Sequence, residues 1–283
     1  MNIIGGSASQ LLAGRVSEVL NSALLVSEFR RFPDGELYTR ILDDFAGEEV
    51  TIIQSTVNDL DFISLLQLID ACSEASKINV VIPYMGYARQ NKQFRKGEPI
   101  SARAMAGAIK ADNVFTVNIH AESILDYFDA KATNLDATPM IGKYIKNMKF
   151  KDPLIIAPDD GAIALARNAS KDLGIDYDFL DKTRLSGETV AIQPKNIAVK
   201  GRDVIIIDDI ISTGGTMAET ISLLKNQGAH EVFAACVHPV FSNNAIAKLF
   251  KAGVKGIIAT DTIDKGVSVV SVAPVIAEAI GNT

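Results

Sequence analysis

The chain has no tryptophan, three histidines and two cysteines. Cys72 and Cys236 are too few and too scattered for a disulfide framework or a zinc cage, so both read as buried, reduced thiols. No apolar run approaches the roughly 20 residues that a membrane-spanning helix needs. The opening segment MNIIGGSAS lacks a basic stretch followed by an apolar core. Neither secretion nor a membrane partner is therefore expected, and the cytoplasm is the default location. Positive charge is also in deficit: 28 Lys and Arg stand against 34 Asp and Glu, a net charge of −6, which argues against a general nucleic-acid surface. Any phosphate binding has to be local. Two familiar phosphate signatures are missing, since no GxGxxG spacing occurs and no glycine-rich turn closes on Gly-Lys-Ser/Thr.

What is present is an ordinary globular composition, 48% hydrophobic and 22% charged, in a length of 283 residues that suits two domains. Strand-like apolar runs alternate with helical patterns, as in α/β architecture with mainly parallel strands. A first series of strands is expected at 2–4, 23–26, 50–54, 78–82 and 113–117. A second, at 154–157, 177–180, 204–207, 231–237 and 257–259, restarts the order near residue 150. The expected domains are residues 1–143 and 144–272, with the crossing in 143–153. TIIQSTVNDLDFISLL, residues 51–66, is similar to IIIDDIISTGGTMAETISLL, residues 205–224, if the first copy has a shorter loop. That first copy carries Gln54 and Ser55 where the second has Asp208 and Asp209, and it lacks the TGGT turn. Only the second half is expected to keep a sugar-phosphate loop.

VIIIDDIISTGGT, residues 204–216, concentrates that chemistry. Val204, Ile205, Ile206 and Ile207 suit a central parallel strand buried on both faces. Asp208 and Asp209 are expected at its end, where ligands collect in open α/β sheets. Ser212, Thr213, Gly214, Gly215 and Thr216 follow. Glycine permits close backbone approach, the hydroxyls donate, and a helix opening near Thr216 would aim free amides at an anion.

Other loops leave two readings each. RRFPDGELY, residues 30–38, is a plain turn or an adenine pocket in which Phe32 stacks on the base and Asp34 or Glu36 accepts from its amino group. PYMGYARQNKQFRKGEPISAR, residues 83–103, sets Arg89, Lys92, Arg95 and Lys96 after a strand, as a solvated face or a polyphosphate contact. His120 follows another strand and suits a phosphate contact or a place beside a metal, whereas His230 and His238 read as structural. Asp159 and Asp160 precede a helix; an acid here could hold a hard divalent cation, and helix capping by Asp160 is the plainer alternative. Lys182 and Arg184 share one face of extended chain, in a catalytic lid or a surface hairpin.

Taken together, these segments resemble ribose-phosphate pyrophosphokinase, also known as phosphoribosyl pyrophosphate synthetase, along essentially the whole chain. VIIIDDIISTGGT is similar to the loop shared with type I phosphoribosyltransferases. RFPDGE, PYMGYARQ, the NIH before Ala121, APDDG and the KTR of 182–184 resemble the synthetase in particular, in its shorter archaeal form. The resemblance implies two tandem type I phosphoribosyltransferase-like domains, each a mainly parallel sheet flanked by helices, with the active site in their cleft and a helix near 273–283 returning to the first. It implies ATP and ribose 5-phosphate as substrates. Phe32, Asp34, Glu36, Arg89, Gln90 and Lys92 would bind ATP, the first three on a neighbouring subunit's nucleotide, hence a homo-oligomer of at least two chains. Asp208 and Asp209 would hold the ribose hydroxyls and Ser212 to Thr216 the 5-phosphate. Lys182 and Arg184 would act on the transferring group, with His120 and Asp159 at the Mg²⁺ positions. Imidazole is a poor Mg²⁺ ligand, so His120 would work through water or favour Mn²⁺.

Overall fold

The computed structural model describes residues 1–171, 173–180, 182–184, 190–192 and 197–282, with backbone only for 182–184 and 190–192. The chain divides into two units, residues 1–136 with 262–264 and 271–283, and residues 137–261 with 265–270.

In the first unit the elements run β1 (Asn2–Gly5), α1 (Gln10–Leu20), β2 (Ala23–Leu25), β3 (Ser27–Arg31), β4 (Leu37–Ile41), β5 (Glu49–Ile53), α2 (Asp59–Ala71), β6 (Lys77–Ile82), α3 (Ser101–Ala108), β7 (Asn113–Val117) and β8 (Lys131–Leu135). Six strands form a parallel sheet in the order β2-β1-β5-β6-β7-β8. Ile3, Ile4, Ile52, Ile53, Val80, Val81 and Ile82 are fully buried, because helices cover both faces of such a sheet and its strands carry continuous apolar runs. α2 starts where Asn58 and Asp61 form a reciprocal capping box. Cys72 closes that helix inside the core, where burial pushes its thiol up to about 12, as befits an inert thiol. β3 and β4 pair as an antiparallel hairpin beside the sheet.

The second unit runs α4 (Thr138–Asn147), β9 (Leu154–Ala157), α5 (Ile163–Ser170), β10 (Asp176–Phe179), β11 (Lys182–Arg184), β12 (Val190–Ile192), β13 (Asp203–Ile210), α6 (Gly215–Asn226), β14 (Glu231–His238), α7 (Ala245–Lys251), β15 (Gly256–Thr260) and β16 (Ser268–Val270). Its parallel sheet has the order β10-β9-β13-β14-β15-β16. Matched strand for strand, β9 to β16 repeats the sequence of connections in the first sheet. β5 and β13 are equivalent, as the internal sequence similarity requires. β11 and β12 form a short antiparallel ribbon. The last helix, α8 (Ala273–Gly281), packs on α1 in the first unit.

β13 is longer than the expected 204–207. Asp208 still pairs with Cys236 and Ile210 with His238, because β14 runs on to offer ladder partners. Its start is anchored by Asp203, whose carboxylate accepts from the Lys151 N–H at 2.7 Å and meets His230 Nδ1 at 2.6 Å.

α4 and α5 approach through Gly142. A Cβ there would lie 2.0 Å from the Ala169 carbonyl oxygen and 2.8 Å from Leu173 Cδ1. Gly142→Ala is expected to lower unfolding free energy by about 1–3 kcal/mol, as overpacking does. Urea denaturation measures this, and an unmoved midpoint would contradict the close approach.

Candidate active site

In the second sheet the connections run outward from β9 and β13, so the strand order reverses between these neighbours. At such a switch point two loops part at the strands' carboxyl ends and leave a crevice. Asp159 follows β9, and Asp208 and Asp209 end β13. Asp159 Oδ1 accepts from the Gly161 N–H at 3.1 Å, so the capping role expected of Asp160 falls to Asp159. Asp208 Oδ1 accepts from the Asp209 N–H at 2.9 Å, and Asp209 Oδ1 from the Ile210 N–H at 2.7 Å. Burial, then the Asp209 carboxylate, then that of Asp159, push the Asp208 carboxyl well above the usual carboxylate range. Asp208 therefore senses both other acids at one end of the sheet. Among the described residues no three His, Cys, Asp or Glu side chains make a ready metal cage. The acids fit a hard cation that keeps much of its coordination shell for water and phosphate oxygens.

The following loop turns on Gly214, at φ 73° and ψ 6°. A Cβ there would come within 3.3 Å of the Ala245 Cβ, so the left-handed conformation and the crowding both select glycine. α6 opens at Gly215, one residue before the expected Thr216. Among the described residues, the backbone N–H groups of Ser212, Thr213, Gly214, Gly215 and Thr216 find no protein acceptor. Successive free amides at the start of a helix form an anion cradle.

The equivalent place in the first unit is filled. Gln54 is fully buried at the end of β5; its Oε1 accepts from the Ala8 N–H at 3.1 Å and its Nε2 donates to the Asp61 carbonyl at 3.2 Å. A Cβ on Gly6 would fall 2.1 Å from Gln54 Oε1, so no free volume is left beside it. Ser55 Oγ donates to the Thr262 carbonyl at 2.6 Å and accepts from the Tyr84 N–H at 3.1 Å. The residues that stand for the two acids serve structure there.

Phe32, Asp34 and Glu36 form the tip joining β3 to β4. Phe32 is 46% exposed and meets Tyr38 edge-on at 5.8 Å, while the Asp34 carboxylate accepts from the Glu36 N–H at 3.2 Å. Arg89 and Lys92 are exposed and Gln90 half-buried, its side chain accepting from Ser101 Oγ. The segment is set by Gly86, whose Cβ position lies 2.1 Å from the Thr56 carbonyl oxygen, and by Tyr87 at φ 62°, whose hydroxyl donates to Asp59. His120 is exposed three residues past β7. The backbone of Lys182 and Arg184 lies in β11; their side chains fall outside the described residues. Asp59 carries no motif that singles it out in sequence. Ser242 and Lys248, which touch the loop from 30 and 35 positions away, have no local signal either.

The family model described as the N-terminal domain of ribose phosphate pyrophosphokinase matches residues 1–112, and that of the phosphoribosyl transferase domain matches residues 123–274. The chain belongs to the ribose-phosphate pyrophosphokinase family. Ribose-phosphate pyrophosphokinase of Methanosarcina acetivorans is 58% identical over 99% of both chains. That of Methanosarcina mazei is 57% identical over 99% of this chain and 95% of its own. The crystal structure of phosphoribosylpyrophosphate synthetase from Mycobacterium smegmatis is similar at a TM-score of 0.83 and 30% identity, covering 99% of this chain and 97% of that one. The likeness to family members thus spans both sheets, the open plan and the filled one.

A carboxyl whose pKa is raised by folding stabilises the fold while protonated and loses that contribution as pH rises through the folded-state value. Asp208→Asn should therefore raise the thermal midpoint of the ligand-free protein at neutral pH. The advantage should shrink as pH falls towards the carboxylate range. Equal midpoints at neutral pH would show that Asp208 bears no such penalty.

Proposed function

We propose that the second unit seats ribose 5-phosphate while the first contributes the contacts to ATP. The observation that carries this reading is the contrast between two sheets of one topology: one ends in acids and free amides, the other in a buried Gln54. Asp208 and Asp209 hold the ribose hydroxyls, since carboxylates accept from vicinal hydroxyls without competing for the phosphate. The amides of Ser212 to Thr216, with the hydroxyls of Ser212, Thr213 and Thr216, hold the 5-phosphate. Arg89, Gln90 and Lys92 contact ATP, the guanidinium fork suiting paired phosphate oxygens. Phe32, Asp34 and Glu36 reach the adenine bound by a neighbouring chain, which makes the working form a homo-oligomer of at least two.

The reaction moves the pyrophosphoryl group of ATP to the anomeric hydroxyl of ribose 5-phosphate, giving 5-phosphoribosyl 1-pyrophosphate and AMP; family membership supports it. The anomeric oxygen attacks the β-phosphorus, and the bond from that phosphorus to the oxygen bridging α and β breaks. Protein groups do little covalent work in such a transfer, and alignment with charge neutralisation supplies most of the acceleration. Lys182 and Arg184 carry the right charge for the equatorial oxygens; the closure over ATP expected of 182–188 falls on residues 185–188, which lie outside the described residues. A divalent cation such as Mg²⁺ would supply neutralisation of the polyphosphate charge. Asp159 suits it directly, and His120 through water, with Mn²⁺ as the ion better matched to imidazole.

Incubation with ATP, Mg²⁺ and ribose 5-phosphate should give AMP and phosphoribosyl pyrophosphate; ADP would mark an ordinary kinase and refute the reading. Lys182→Ala should lower turnover by roughly 10²–10³-fold while ATP affinity changes far less. Unchanged turnover would remove Lys182 from the chemistry.

A further inference from the structure

The sugar-phosphate loop has short polar side chains and one left-handed glycine, yet its amides all serve one ligand in the reading above. Something must hold its peptide planes. The segment between β14 and the middle of α7 touches the loop at consecutive positions. The Phe241 N–H donates to the Ile211 carbonyl at 3.0 Å and the Ser242 N–H to the Ser212 carbonyl at 3.0 Å. Lys248 Nζ donates to the Thr213 carbonyl at 3.2 Å. Ala245 packs against Gly214.

In a trans peptide the C=O and the following N–H point in opposite directions. Carbonyls 211, 212 and 213 all turn towards this segment, so amides 212, 213 and 214 all turn away from it. That sets three successive donors on one side, next to the amides of Gly215 and Thr216 at the start of α6. Ser212 Oγ and Ser242 Oγ lie 3.1 Å apart. With Ser242 donating, the Ser212 hydrogen stays free for an anion, and a hydroxyl that accepts one bond donates a stronger second. The bracing segment also carries backbone strain, since Phe241, Asn243 and Asn244 have φ of 47°, 52° and 59°. Phenylalanine in that region is uncommon and is kept only where surrounding contacts enforce it.

We propose that Phe241–Lys248 is a brace that orients the amides of the phosphate loop, with Ser242 and Lys248 as positioning residues for ribose 5-phosphate. The inference rests on the second unit being the sugar-phosphate seat. Neither residue needs to touch the substrate. Lys248 adds a second effect: its charge, exposed on α7, favours an anion nearby.

The test compares the unaltered enzyme with Ser242→Ala/Lys248→Met, measuring ribose 5-phosphate binding by calorimetry, KM for both substrates, kcat and the thermal midpoint. Loss of two hydrogen bonds to the loop should weaken ribose 5-phosphate by roughly tenfold or more, with KM for ATP and the midpoint little changed. Ser242→Ala/Lys248→Arg, which keeps the donor, should recover part of the loss. Lys248→Met alone, at an exposed position, carries the test if the double variant does not fold. Unchanged ribose 5-phosphate affinity overturns the brace, as does equal weakening of both substrates. If the unaltered enzyme itself fails to bind ribose 5-phosphate, the sugar-phosphate reading falls and the brace with it.

Discussion

A parallel sheet covered on both faces consumes its backbone hydrogen bonds in its ladders and offers apolar side chains on each side. Polar chemistry is then confined to the strands' carboxyl ends, and most of all to the place where strand order reverses. The acids and the phosphate loop of the second unit follow from that confinement. β13 is buried from Val204 to Ile207 and only partly accessible at Asp208 and Asp209, within one strand. The same burial that makes the sheet stable leaves Asp208 a costly charge, with Asp209 and Asp159 adding to the cost. A site built this way gives up some stability in the free protein and regains it when hydroxyls or a cation arrive.

The two sheets share a strand order, so the fold by itself does not decide which one binds. The decision lies in a few side chains. Gln54 reaches back under the β1 loop and fills with an amide the volume that an open site would leave empty. Ser55 ties the strand end to Thr262, a residue of the segment that revisits the first unit late in the sequence. With that place filled, the first unit carries other loops, the β3–β4 tip and the Arg89 segment.

Much of this was legible in the sequence, for reasons that can be named. Central parallel strands are continuous β-branched runs, so β1, β5, β6, β7, β9, β13 and β14 stand out. β8, with sequence KATNL, and β16, with SVV, did not, because the one is polar and the other only three residues long, so neither makes that pattern. The RFPDGE segment left a plain turn and an adenine pocket open, and the chain places it at a hairpin tip, which is compatible with both. Capping by Asp159 instead of Asp160 is a matter of one residue's backbone angles and was beyond pattern reading. The contacts of Ser242 and Lys248 with the loop span 30 and 35 positions and depend on how α7 packs beside α6, which no local motif encodes.

We read the chain as holding a single seat for ribose 5-phosphate, in the second unit. Titration calorimetry of ribose 5-phosphate against the unaltered protein and against Asp208→Asn/Asp209→Asn tests it most directly. One binding event per chain is expected, lost or severely weakened in the double variant while the protein stays folded. Two events per chain, or full-strength binding without the two carboxylates, would contradict it.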